Sequence, residues 1–131
     1  MRDIKFRGKR VDNGEWHYGF YREFTMLSCW KREAYREGVN YYIDAKGSNE
    51  SYLVIPETVG QYTGLKDKNG KEIYENDILS DGVINYVVAF YAGAWCLKLG
   101  IEDGSWYSLY PVACQREVVG NIYEHKDLLE G

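Results

Sequence analysis

The chain has little of what marks most specialised classes of protein. Proline occurs only twice in 131 residues, and charged residues are scattered rather than gathered in blocks, which excludes polyproline, low-complexity and disordered classes. No apolar stretch approaches the length of a membrane span. Charges interrupt Met1–Phe6 where a secretory leader needs an apolar run, so a cytoplasmic location is expected. Cysteine occurs three times, at Cys29, Cys96 and Cys114. The odd number and wide spacing, with only His17 and His125 to assist, fit neither a disulfide framework nor a metal site, and the thiols are expected to be reduced and buried. Asn49-Glu50-Ser51 matches a glycosylation signal that has no meaning in that compartment. There is no glycine-rich phosphate loop and no serine elbow.

Aromatic residues, by contrast, are abundant at 16%, thirteen of them tyrosines, and they favour half-buried pleated surfaces. Four dipeptides suited to two-residue hairpins punctuate the chain: Asn13-Gly14, Asn69-Gly70, Asp81-Gly82 and Asp103-Gly104. Strands are expected at residues 3–9, 15–23, 39–44, 51–55, 59–63, 71–74, 83–91, 95–99, 105–110 and 116–124. This length and pattern predict one mostly-β domain over residues 1–131, a meander or small barrel.

The first hairpin alternates clearly. Ile4 and Phe6 fall on one face and Lys5, Arg7 and Lys9 on the other, while Trp16, Tyr18 and Phe20 are expected to complete the apolar face. Val83–Tyr91 is β-branched and aromatic almost throughout, as the middle strand of a sheet would be. Residues 29–37 suit a short helix capped by Ser28 and ended by Gly38. Glu124–Leu129 reads as a terminal turn whose leucines dock on the sheet. Val59-Gly60-Gln61-Tyr62 and Val119-Gly120-Asn121-Ile122-Tyr123 echo each other, most simply because both strands need glycine where another backbone approaches.

Net charge is −4 but uneven: residues 1–36 hold nine Lys/Arg against five Asp/Glu, and residues 37–131 hold seven against fifteen. The basic stripe Lys5, Arg7 and Lys9 is the best candidate for nucleic-acid contact, since cations neutralise phosphates and nearby rings stack on bases. Trp30 and Tyr35, in an arm with Lys31, Arg32 and Arg36, could supply such rings. The acidic isoelectric point near 5.2 weighs against it. Carboxylate pairs such as Glu75 with Asp77, or Glu57 with Glu72, could hold an ion or do acid-base work, but no third ligand accompanies them, and Glu75 and Asp77 suit backbone N–H groups at a turn. A Cys29–His17 nucleophile rests only on both residue types being present.

The stretch Val54–Leu79, with Gly64-Leu65-Lys66-Asp67-Lys68-Asn69-Gly70-Lys71-Glu72-Ile73-Tyr74-Glu75-Asn76-Asp77-Ile78-Leu79 at its heart, resembles the central signature of the YopX family. Ile4–Lys9, Trp16–Gly19 and Glu117–Glu124 agree with it; residues 21–51 are the least similar, and 24–51 reads as a variable insertion. Where the family commonly has glycine this chain has Asn76, the usual non-glycine occupant of left-handed geometry. The resemblance implies a mainly β fold containing an SH3-type barrel, in a bacteriophage or prophage protein whose function is unestablished. It carries over no catalytic residues.

A non-enzymatic accessory protein is therefore expected, with no cofactor, metal, membrane or small-molecule substrate. A protein partner or a second copy is the leading expectation, given the aromatic-rich surface and asymmetric charge. Nucleic acid bound by the N-terminal basic strand is the alternative. Lys68, Lys71, Glu75 and Asp77 in the signature are the candidate recognition loop.

Overall fold

The computed structural model describes residues 4–26, 38–45, 47–99, 106–110 and 112–129. Among them are strands and short 3-10 turns, with no α-helix, and no helix long and apolar enough to cross a membrane. The helix expected at residues 29–37 and the Asp103-Gly104 turn lie outside the described residues. The protein is mostly β, its strands paired antiparallel in two sheets. The chain gathers into two compact units, one over Ile4–Gln61 and one over Tyr62–Gly131.

The first unit is a ladder in the order β4-β3-β2-β1, formed by β1 (Phe6–Lys9), β2 (Trp16–Met26), β3 (Gly38–Ala45) and β4 (Ser51–Leu53). The opening of β5 (Gly60–Lys66) pairs with β1 through Gly60 and Gln61. The ladder curls. Arg10 bridges to Val54, Val11 N–H donates to the Leu53 carbonyl at 3.0 Å, and Ile55 N–H donates to the Lys9 carbonyl at 2.9 Å. Gly19 permits a close approach of β2 and β3, because a Cβ there would run into the Asp44 carbonyl. Residues 24–51, expected as an insertion, supply the end of β2, all of β3 and the start of β4 to this ladder.

The rest of β5 belongs to the second unit, where it pairs with β6 (Glu72–Tyr74). A five-stranded sheet follows in the order β10-β9-β8-β7-β11, from β7 (Asp77–Ser80), β8 (Asn85–Tyr91), β9 (Ala94–Leu99), β10 (Trp106–Ser108) and β11 (Glu117–Asn121). β8 is the middle strand, as its composition predicted. Val83 and Ile84 stand outside it, exposed in the turn after Asp81. Asp77–Ser80, which falls between the expected ranges 71–74 and 83–91, forms a strand of its own. The core is a cluster of Ile73, Leu79, Val88, Leu97, Leu109, Ala113 and Val118, backed by Leu65, Tyr86, Trp95 and Val112. At the C-terminal end, a 3-10 turn at Lys126–Leu129 is tied to β8 by Asn85 Nδ2, which donates to the Leu128 carbonyl at 2.8 Å.

The expected barrel is corrected to open sheets: β10 and β11 end the five-strand order and form no ladder with each other among the described residues. The hairpin signals also behave differently from expectation. Asn69-Gly70 and Asp81-Gly82 lie inside longer loops, because the flanking pairs are Lys66 with Glu72 and Ser80 with Asn85. Asn13-Gly14 lies in a longer connection too, with Arg10 N–H bonded to the Glu15 carbonyl at 2.8 Å. The two-residue turn is Ala92-Gly93, with φ of 53° and 82°, closed by the Tyr91–Ala94 pair. Alanine seldom takes positive φ, which hid it from the sequence reading. Neither described thiol is buried as expected: Cys96 is half-buried, and Cys114 is exposed because Ala113 takes the inward position of its 3-10 turn.

Candidate functional site

Antiparallel register decides which side chains share a face, and here it overturns the expected hairpin. Phe6 pairs with Gly19, Arg7 with Tyr18, Gly8 with His17 and Lys9 with Trp16. Trp16, Tyr18 and Phe20 therefore stand on the face of Arg7 and Lys9, not on the face of Phe6. On the opposite face Phe6 meets Tyr21 at 5.7 Å and His17 stacks on Tyr52 at 3.7 Å, with Ile43 and Val54 buried. That leaves an exposed row along β2: Tyr18 at 47%, Phe20 at 55% and Phe24 at 38% of their possible surface. Arg22 belongs to the same row. The alternation Trp16-Tyr18-Phe20-Arg22-Phe24 was the signal for it, but the strand was expected to end at residue 23.

The cations on this face are mostly engaged. The Arg7 guanidinium lies over the Trp16 ring at 4.7 Å and the side chain is only 6% exposed, so it cannot reach a phosphate without unstacking. Arg22 lies over Tyr42 at 4.7 Å and grips Asp44 through Nε at 2.9 Å and Nη2 at 3.2 Å. Ser51 Oγ donates to the same carboxylate at 2.6 Å. Arg22 and Ser51 together hold Asp44 below the usual carboxylate range against the opposing effect of burial. Lys5 and Lys9 are half-buried. Of the expected stripe, then, Arg7 is a packing element and the two lysines flank the aromatic row.

The signature segment is built around carboxylates that bind backbone. Asp67 is buried, and its Oδ1 accepts from Asn69 N–H and Lys71 N–H, both at 2.8 Å, while Oδ2 accepts from Val118 N–H at 2.9 Å. Burial alone would raise its pKa; the three donors outweigh burial and lower it. One residue thus closes the β5–β6 loop and fixes it to β11. Asp77, 1% exposed, accepts from Tyr74 N–H at 2.8 Å, which is a turn role. Asn76 takes φ of 69°, as its match to the family glycine implied, and its Nδ2 donates to Tyr123 Oη at 2.7 Å. Lys68 and Lys71 are exposed on the loop, Lys68 lying 3.9 Å from Glu117, and Glu75 is half-buried beside the turn. The four proposed loop residues therefore divide: two lysines face solvent, and Asp77 holds the backbone. At Gly120 the group that approaches is a side chain rather than the expected backbone, since a Cβ there would strike the His125 ring at 2.6 Å.

Among the described residues no three His, Cys, Asp or Glu side chains gather as metal ligands. Glu57 sits on a 3-10 turn of the first unit and Glu72 on β6 of the second. Cys29 lies outside the described residues, and His17 is taken up by its stack on Tyr52 and by Glu15 at 3.6 Å.

Comparison with curated proteins gives no match. Among solved structures the chain is similar to the crystal structure of protein EF1440 from Enterococcus faecalis, with a TM-score of 0.55 and 21% identity over 99% of this chain and 100% of that one, a likeness of fold. The family model described as YopX protein matches residues 5–130, which covers all the strands described above, and the chain therefore belongs to the YopX family.

Proposed function

We propose that the protein is a non-catalytic interaction module whose first unit binds a protein partner through the aromatic row of β2, acting in a bacterial cytoplasm as a phage or prophage accessory protein. The observation that carries this reading is the β1–β2 register, which leaves Tyr18, Phe20 and Phe24 exposed along one face of β2. Aromatic residues and arginine are the types enriched at the centres of protein interfaces. The local charge points the same way. Described and undescribed residues of the first unit together hold nine Lys/Arg against eight Asp/Glu, close to neutral, and the two arginines on this face are already partnered.

One feature favours nucleic acid as the second reading. Lys5 and Lys9 flank rings that stand on the same face, an arrangement that suits a single strand stacked along a sheet. For the second unit, the order β11-β7-β8-β9-β10, with a 3-10 turn leading to the strand that returns beside the first, supports an open SH3-type scaffold.

Affinity capture from phage-infected bacteria, run in parallel with wild type, Tyr18→Ser and Phe20→Ser, tests the reading. A protein recovered by wild type and lost from both variants, with thermal midpoints unchanged, is the expected result. Salt-sensitive binding of a labelled oligonucleotide pool, lost in Lys5→Glu and Lys9→Glu, would replace it with the nucleic-acid reading.

A further inference from the structure

Sheet edges are association hazards that proteins ordinarily manage, and among the described residues three of the four edge strands have backbone groups bonded by other parts of the chain. Leu53 of β4 receives Val11 N–H at 3.0 Å. On β6, Tyr74 N–H is capped by Asp77. On the β11 side, Val118 N–H is capped by Asp67, and the Arg116 carbonyl just before the strand receives Lys68 N–H at 2.9 Å. The fourth edge, β10, differs. It pairs with β9 alone among the described residues, and Trp106, Tyr107 and Ser108 are all exposed.

The hydrogen-bond phase of β10 shows which groups face outward. Leu109 N–H donates to the Trp95 carbonyl at 3.2 Å, and Tyr107 lies opposite Leu97, two residues along each strand. Bonded pairs alternate in an antiparallel ladder, so Tyr107 bonds inward and the N–H and C=O groups of Trp106 and Ser108 point away from β9. The strand also lacks the usual deterrents, since Trp106-Tyr107-Ser108-Leu109-Tyr110 contains no charge and no proline. Its large side chain is already set in place: the Trp106 ring stacks on Tyr91 at 4.5 Å, with Lys98 Nζ 5.5 Å from its centre.

We propose that β10 pairs with β10 of a second copy of this chain, antiparallel about a two-fold axis at Tyr107. The occupant follows from complementarity. In that register Trp106 of each copy faces Ser108 of the other, large against small, and the outward groups of both residues exchange hydrogen bonds. The paired segment is neutral, so two identical strands meet without opposing like charges. Trp106, Tyr107 and Ser108 themselves offer no charge for a charged partner strand to pair with.

The test is the mass of the full chain in solution by light scattering and sedimentation. Wild type is expected at twice the 15.3 kDa of one chain. Trp106→Lys and Ser108→Glu are each expected to run as monomers, and an equimolar mixture of the two to recover the dimer, because the introduced lysine then faces the introduced glutamate across one side of the axis. Circular dichroism and thermal unfolding establish that each variant is folded. A monomeric wild type at the highest attainable concentration, dimers that persist in both single variants, or a mixture that stays monomeric would each overturn the proposal. Phe20→Ser is expected to keep the dimer, so failure here is separate from failure of the β2 reading.

Discussion

The two units spend their buried residues differently. In the second, seven apolar side chains from β6 to β11 form one continuous cluster, with Leu79, Val88 and Leu109 wholly inaccessible. In the first, the buried set mixes Ile43 and Val54 with Arg7, Asn40, Thr58 and Tyr42, and large aromatics remain outside along β2. An aliphatic cluster gains stability from burial at roughly 25 cal/mol per Å², whereas buried polar groups contribute little net and mainly fix geometry. The difference teaches where each property resides: among the described residues the second unit holds most of the buried apolar side chains, and the first holds a surface of stacked rings and ion pairs.

The sharpest way to break that contrast is to empty the second core. Leu79→Ala removes a fully buried side chain between Val88 and Val118 on neighbouring strands, and is expected to cost about 3 kcal/mol in denaturant unfolding. A loss below about 1 kcal/mol would show that the cluster is not the stabilising centre.

Asp67→Asn comes next. The amide keeps one acceptor oxygen but sets an N–H₂ group against at least one backbone donor, so a loss of about 2 kcal/mol at neutral pH is expected. Its pH dependence has a definite sign. The folded carboxylate titrates below its unfolded value of about 3.9, so its contribution is fully present above that value and disappears as pH falls through the folded pKa. Wild type and variant should therefore converge in acid-unfolding curves below about pH 4, with the gap restored toward neutrality. A constant gap across that range would assign the effect to packing alone.

Asn76 gives a smaller and more specific comparison. Asn76→Ala places an ordinary residue at φ of 69° and deletes the bond to Tyr123, for an expected loss of about 1.5 kcal/mol. Asn76→Gly loses only the bond and should cost about half as much by thermal unfolding.

Parts of the second unit were legible because they carry a local signal. The β-branched run of β8 and the left-handed Asn76 both follow from residue type and near neighbours. The face of the first hairpin was not legible in the same way. Alternation fixes that Trp16, Tyr18 and Phe20 share a side, but which side of β1 they join depends on register, and a shift of one residue exchanges the faces. The six-residue connection around Asn13-Gly14 sets that register, and a dipeptide does not reveal the loop length. The backbone-holding role of Asp67 was not legible for another reason: one of its partners, Val118, lies 51 residues away. The Ala92-Gly93 turn escaped because alanine pays a steric penalty there that the Tyr91–Ala94 pairing overrides.

The smallest expected effect is the one that separates a binding face from a core. Phe20 is 55% exposed, and its cross-strand partner is Asp44, whose carboxylate is already held by Arg22 and Ser51. Replacing the ring with serine removes little buried surface and leaves no polar group unsatisfied, so stability should change by no more than about 0.5 kcal/mol. Had the register been the expected one, with Phe20 facing inward beside Phe6, the same substitution would open a cavity and cost about 3 kcal/mol or more. Denaturant unfolding of Phe20→Ser thus reads the register directly, before any partner is known. A near-neutral result joined to loss of partner capture would place the work of that ring outside the fold, on whatever the first unit binds.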